Sequence, residues 1–109
     1  MPRDFEVYLE DIRLAIGKIQ NYTSGLTREM FDQDDRTIDA VIRNLQIIGE
    51  AAKMVPESVR ASYPTVAWKK IAGLRDILAH QYFEVDLDII WDVLQTNLPE
   101  LDRQLGQQN

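Results

Sequence analysis

The stretch DDRTIDAVIRNLQIIGEAAKMV, residues 34–55, decides the fold. Its apolar residues Ile38, Val41, Leu45, Ile48, Ala52 and Val55 recur in steps of three and four, which lines one side of an α-helix. Asp34 and Asp35 open it, where acidic side chains meet unpaired amides and the positive end of the helix. Pro56 stops this helix or starts the next. Ile42, Ile47 and Ala51 widen the apolar surface. A helix of this kind is expected to be covered on two sides, by its own core and by a neighbour.

The flanking segments supply the partners. From Asp4 to Tyr22 the residues Phe5, Leu9, Ile12, Ile16 and Ile19 repeat the same spacing, with Asp4 as N-cap and Ser24-Gly25 as terminator. Thr27 to Asp32 reads as one short helical turn with Leu26, Met30 and Phe31 inward. Glu57 to Ser62 is a second short piece, broken by Tyr63-Pro64. Thr65 is then expected to cap a helix from about Val66 to His80 or beyond, with Trp68, Ile71, Leu74 and Leu78 inward. Asp86 caps the last helix, whose stripe is Leu87, Ile90, Trp91, Leu94, Leu98, Leu101 and Leu105. Pro99 falls inside that stripe and should kink the helix or restart it near Asn97. No segment alternates with period two for long enough to make a strand. The expectation is all-α: an antiparallel helical bundle of four long helices plus short helical turns, forming a single domain over residues 1–109.

Composition narrows the function. The 109 residues are 45% apolar and 28% charged, enough for one buried core and too few for two domains. There is no cysteine, which removes disulfides, thiolate nucleophiles and cysteine zinc sites. No apolar run is long enough to span a membrane, and the charged N-terminus lacks a signal-peptide core, so a cytoplasmic protein is expected. A net charge of −6 argues against a protein that coats nucleic acid non-specifically. The charge is uneven, however. Lys53, Arg60, Lys69, Lys70 and Arg75 face only Glu57 among the acids of residues 53–75, a net of +4 that leaves −10 on the rest. A small basic face on an acidic body suits a local anion site; the alternative is a solvated helix face.

The chain holds one histidine, His80, so no single-chain mechanism can use two. A serine triad lacks a nucleophile-elbow sequence, and Glu50 has no Glu-x-x-His companion for a di-metal bundle site. Around His80 the order is Gly73-Leu74-Arg75-Asp76-Ile77-Leu78-Ala79-His80-Gln81-Tyr82-Phe83. Asp76 and His80 are four apart and face each other across one helical turn. A bond between them would fix the imidazole tautomer and favour its charged form. Arg75 lies about 140° around the axis from His80, within reach of its long side chain, and Tyr82 returns toward the face of Arg75 if the helix continues. Capping, surface charge and core packing remain the ordinary alternatives for these four residues.

The run Arg75, four residues, His80, one residue, Tyr82 resembles the R-x(4)-H-x-Y signature of HepT-type toxins of the HEPN class. The resemblance extends to Asn44-Leu45-Gln46-Ile47-Ile48-Gly49-Glu50-Ala51-Ala52, to Tyr63-Pro64 followed by Trp68 to Asp76, and to Tyr82-Phe83 with Val85-Asp86. It covers roughly residues 38–101. One departure is Glu84, where the family often has glycine; it adds negative charge near the motif.

The resemblance implies a HEPN-like bundle and a metal-independent endoribonuclease, the toxin of a toxin-antitoxin pair, with no cofactor and no metal site. In such a reaction the 2′-hydroxyl of RNA attacks the adjacent phosphate and leaves a 2′,3′-cyclic phosphate. His80 would serve as acid or base, since an imidazole pKa of about 6.5 suits both. Arg75 would hold the phosphate and stabilise the charge that grows on it. Asp76 would orient His80, and Lys69 and Lys70 would guide the RNA backbone. A homodimer with His80 helix ends facing across the two-fold axis would supply the second proton carrier. The resemblance also implies a cognate minimal nucleotidyltransferase that neutralises the toxin by attaching AMP to Tyr82. The competing expectation is a non-catalytic nucleotide- or partner-binding module that complexes with that transferase. A purely structural bundle would leave the Arg75, Asp76, His80 and Tyr82 cluster without a purpose.

Overall fold

A computed structural model describes residues 4–80 and 86–106, with the side chains of residues 76–80 outside the description. Helix α1 (Phe5–Thr23) starts where the Asp4 carboxylate accepts from the Glu6 amide, 3.2 Å away. It ends at Gly25, whose φ of +77° is open to glycine at little cost. Helix α2 (Arg28–Asp32) is capped by Thr27, whose hydroxyl accepts from the Met30 amide. Helix α3 (Asp35–Met54) is capped by Asp34. Helix α4 (Glu57–Arg60) follows Pro56, and α5 runs Trp68–His80. Helix α6 (Leu87–Asp92) passes through a π-helical turn, Val93–Asn97, into α7 (Leu98–Leu105). Among the described residues there is no strand.

Four long rods result: α1, α3, α5, and α6 with α7 joined end to end. Helix α3 is the centre, packed along α1 on one side and α5 on the other. Tyr8 and Asp11, early in α1, line one groove with Ile47 and Met54, late in α3, so those two helices run antiparallel. Arg13 of α1 ion-pairs with Asp102 of α7 at 3.5 Å, and Arg28 joins α2 to α6 through Asp88 at 2.7 Å.

The core forms where the expected stripes meet. Ile12, Ile16 and Ile19 of α1 and Val41, Leu45 and Ile48 of α3 are fully buried, as is Phe31, which lies 5.2 Å from the Trp91 ring. Each such side chain contributes about 1.5–3 kcal/mol by leaving water. The stripe of the last rod is buried at Ile90, Leu94, Leu98, Leu101 and Leu105.

Three local expectations, for Met30, the start of α5 and the Thr65 cap, are corrected. Met30 points outward at 51% exposure, because a five-residue helix has one inward face and Phe31 occupies it. Helix α5 begins at Trp68 rather than Val66, because residues 63–67 stay in turns that let the Trp68 indole donate to the Tyr63 carbonyl. Thr65 is therefore no cap; its carbonyl accepts from the Gln104 side chain of α7. Pro99 falls where expected, at a restart: α7 begins at Leu98 after Asn97, and the irregularity before it takes the form of a π-helical turn. The Leu98 amide bonds five residues back to Val93, which absorbs the donor that proline lacks while the rod continues.

Candidate active site at the α3–α5 seam

The site is built on the closest approach of two helices. Gly49 is buried on α3, and a Cβ placed there would lie 2.8 Å from the Arg75 amide nitrogen and 3.0 Å from the Arg75 Cβ. Real Cβ atoms do not come so near, so a side chain at residue 49 would push α5 off α3. Ala51 and Ala52 continue the small-residue surface.

Next to that contact, Glu50 reaches across the seam. Its Oε1 lies 3.1 Å from the Arg75 Nε. The Arg75 side chain is 42% exposed and that of Glu50 63%, so the pair sits at the rim in contact with water. Glu50 also borders the open groove between α1 and α3, beside Tyr8, Asp11, Ala51 and the exposed side chains of Ile47 and Met54. Of the residues expected to widen the apolar face of α3, Ala51 is buried and Ile42 half-buried, while Ile47 is exposed.

Helix α5 continues unbroken from Arg75 through Asp76 to His80. An α-helix places Asp76 and His80 one turn apart on one face, about 6 Å along the axis, and sets His80 about 7.5 Å beyond Arg75. The side chains of Asp76 and His80, and Tyr82 and Glu84 altogether, lie outside the described residues. The segment that carries Tyr82 is bracketed by the end of α5 and by Asp86, whose carboxylate caps α6 through the Asp88 and Ile89 amides.

The basic face is divided by structure. Arg60 is a structural cation: its Nε donates to the Val55 carbonyl at 3.0 Å and its Nη2 to that of Ala52 at 2.9 Å, closing the C-terminal end of α3. The guanidinium also lies 5.9 Å from the centre of the Trp68 ring. Lys69 and Lys70 are exposed in the first turn of α5. Lys70 lines a groove with Ile71, Leu74 and Leu98, on the α7 side of the helix, whereas Arg75 turns toward α3. Arg75 is thus the cation set beside the motif, and Glu50 is the neighbour that sequence reasoning did not pair with it. The available signal was Gly49, a glycine inside a strong helix and directly before a carboxylate.

This geometry sets the Arg75 guanidinium at a helix seam, on the helix that runs on through Asp76 to His80. Residues 12–107 match the family described as Ribonuclease HepT-like. The chain belongs to the HepT-like ribonuclease family. The "Probable ribonuclease HepT" of Thermococcus cleftensis is 41% identical over 93% of this chain and 92% of its own length. The "mRNA nuclease HepT" of Shewanella oneidensis is 32% identical over 84% of this chain and 86% of its own. A longer relative, the "Gamma-glutamylcyclotransferase and putative RNase" of Methanocaldococcus jannaschii, is 39% identical over 96% of this chain, which spans 47% of that protein. Among solved structures, a chain in the crystal structure of a toxin-antitoxin with AMP-PNP superposes with a TM-score of 0.67 at 28% identity, covering 94% of each chain. No helix among the described residues is long and apolar enough to cross a membrane.

Proposed function

We propose that this HepT-like protein is the toxin of a toxin-antitoxin pair and cuts RNA without a metal ion. The observation that carries this reading is the Arg75 guanidinium, held half-exposed at the α3–α5 seam on the continuous helix that ends at His80. Membership of a ribonuclease family and likeness to a toxin-antitoxin chain support it.

In this mechanism Arg75 binds the scissile phosphate and stabilises the extra negative charge of the phosphorane. One imidazole takes the proton of the 2′-hydroxyl as its oxygen attacks phosphorus. A second gives a proton to the departing 5′-oxygen, leaving a 2′,3′-cyclic phosphate and a 5′-hydroxyl. Asp76, one turn before His80, orients the ring and favours its charged form. The two imidazoles are His80 and the same residue of a second copy, so the working form is a homodimer with its sites at the two-fold seam. The exposed Ile47 and Met54 beside Glu50 offer apolar surface for that contact. Lys69 and Lys70, exposed in the first turn of α5, guide the RNA backbone away from the cut site.

A partner nucleotidyltransferase neutralises the toxin by attaching AMP to Tyr82. The added anion, two residues past His80, competes with RNA phosphate for Arg75. The toxin-antitoxin structure holding AMP-PNP supports a nucleotide-linked partnership of this kind. Expression of His80→Ala tests the reading. Loss of growth arrest and of RNA cleavage, with the dimer still folded, is the expected result. Full cleavage by that variant would remove His80 from the chemistry, and no cleavage by either protein would leave a non-catalytic partner-binding module. Co-expression with the partner should add the mass of AMP to Tyr82.

A further inference from the structure

We infer that Glu50 is a positioning residue for Arg75: its carboxylate fixes the guanidinium at the Nε edge and aims the remaining donors at the bound phosphate. This rests on the ribonuclease reading, and it adds a residue outside the Arg75–His80 motif to the site.

Three observations lead to it. The Glu50 carboxylate is 3.1 Å from the Arg75 Nε, on a different helix and 25 positions earlier in the chain. Gly49 brings the two backbones together next to Glu50, which places the carboxylate and the guanidinium within reach of each other. The pair has little structural work of its own, since both side chains reach water and exposed ion pairs contribute little to stability. What the pair does provide is order. A free arginine side chain samples many rotamers, and a carboxylate at its Nε edge biases it toward those that face the seam before substrate arrives. A guanidinium held in this way keeps donors for a two-point contact with phosphate.

The test compares wild type with Glu50→Ala, Glu50→Gln and Arg75→Ala on one RNA oligonucleotide. Binding is read with an analogue carrying a 2′-deoxy sugar at the cut site. Glu50→Ala should lower kcat by about tenfold, the scale of a slightly misplaced catalytic group, with an unchanged melting temperature. Glu50→Gln should recover part of that loss, because its amide oxygen offers the Nε–H an acceptor at the same place. In the Arg75→Ala background Glu50→Ala should have no further effect on analogue binding, since the two act through one group. NMR of the Arg75 Nε–H gives a readout independent of cleavage: slow exchange in wild type, fast exchange in Glu50→Ala. Equal exchange in the two proteins overturns the inference even if RNA is cut. Slow exchange lost in Glu50→Ala, in a protein that cuts no RNA, retains the pairing and overturns the ribonuclease reading instead. Loss of only the acidic limb of the pH profile, with the Nε–H unchanged, would make Glu50 a proton carrier and also overturn it.

Discussion

Gly49 of α3 faces Arg75 of α5 so closely that a methyl group on residue 49 would stand 2.8 Å from the Arg75 amide nitrogen. The contact is backbone against backbone, and neither side can yield by changing a rotamer. It couples the packing of the bundle to the position of the cation in the candidate site.

Gly49→Ala should therefore cost stability although alanine favours helix by about 1 kcal/mol over glycine. Overpacking of a filled interface costs about 1–3 kcal/mol. We expect a net loss of up to about 2 kcal/mol in urea unfolding, with a fall in RNA cleavage larger than that loss of folded protein explains. A variant as stable and active as wild type would mean that α5 can move off α3 freely.

Phe31 anchors the short α2 helix. It is wholly buried and stacks obliquely on Trp91 at 5.2 Å. Phe31→Ala should destabilise the protein by about 3–5 kcal/mol through lost burial and the cavity left behind. Met30→Ala, one residue away and half exposed, should change stability little. Calorimetric melting of the two variants makes the comparison.

Arg60 is assigned to the fold rather than to RNA. Arg60→Ala removes donors from the Ala52 and Val55 carbonyls and a cation from beside Trp68. A loss of about 1–3 kcal/mol is expected, since hydrogen bonds from a charged donor are the stronger kind. Lysine should restore only part, because it cannot reproduce the fork. Binding of RNA to the folded variant at low temperature should match wild type. A weakened affinity there, with normal stability, would move Arg60 into the RNA surface.

The start of α3 carries a pH dependence. The Asp34 carboxylate accepts from both the hydroxyl and the amide of Thr37, at 2.7 and 3.1 Å, which holds its pKa below the usual carboxylate value. A depressed folded-state pKa contributes stability that is fully present above the unfolded value. It is lost as pH falls through the lowered one. Wild type should lose stability across that acidic window, and Asp34→Asn should lose less there. Parallel melting curves against pH for the two proteins would remove this role.

The helix starts at Asp4, Asp34 and Asp86 were readable in the chain because capping is local: each carboxylate bonds to an amide two or three residues on. The apolar stripes were readable for the same reason, since helix period is a property of neighbours in sequence. What could not be read was set between distant residues. The start of α5 at Trp68 depends on where its indole finds an acceptor, and the role of Arg60 depends on carbonyls of the preceding helix. The partner of Arg75 lies 25 positions away, and only the crossing of α3 and α5 brings it near. The π-helical turn is intermediate: Pro99 announced an irregularity, but its form was decided by a rod that keeps Leu94, Leu98 and Leu101 buried.

The most direct measurement is incubation of the purified protein and of His80→Ala with total RNA in EDTA, followed by analysis of the new ends. The account predicts 2′,3′-cyclic phosphate and 5′-hydroxyl termini from wild type and none from the variant. Cleavage that stops in EDTA, or that continues unchanged without His80, would contradict it.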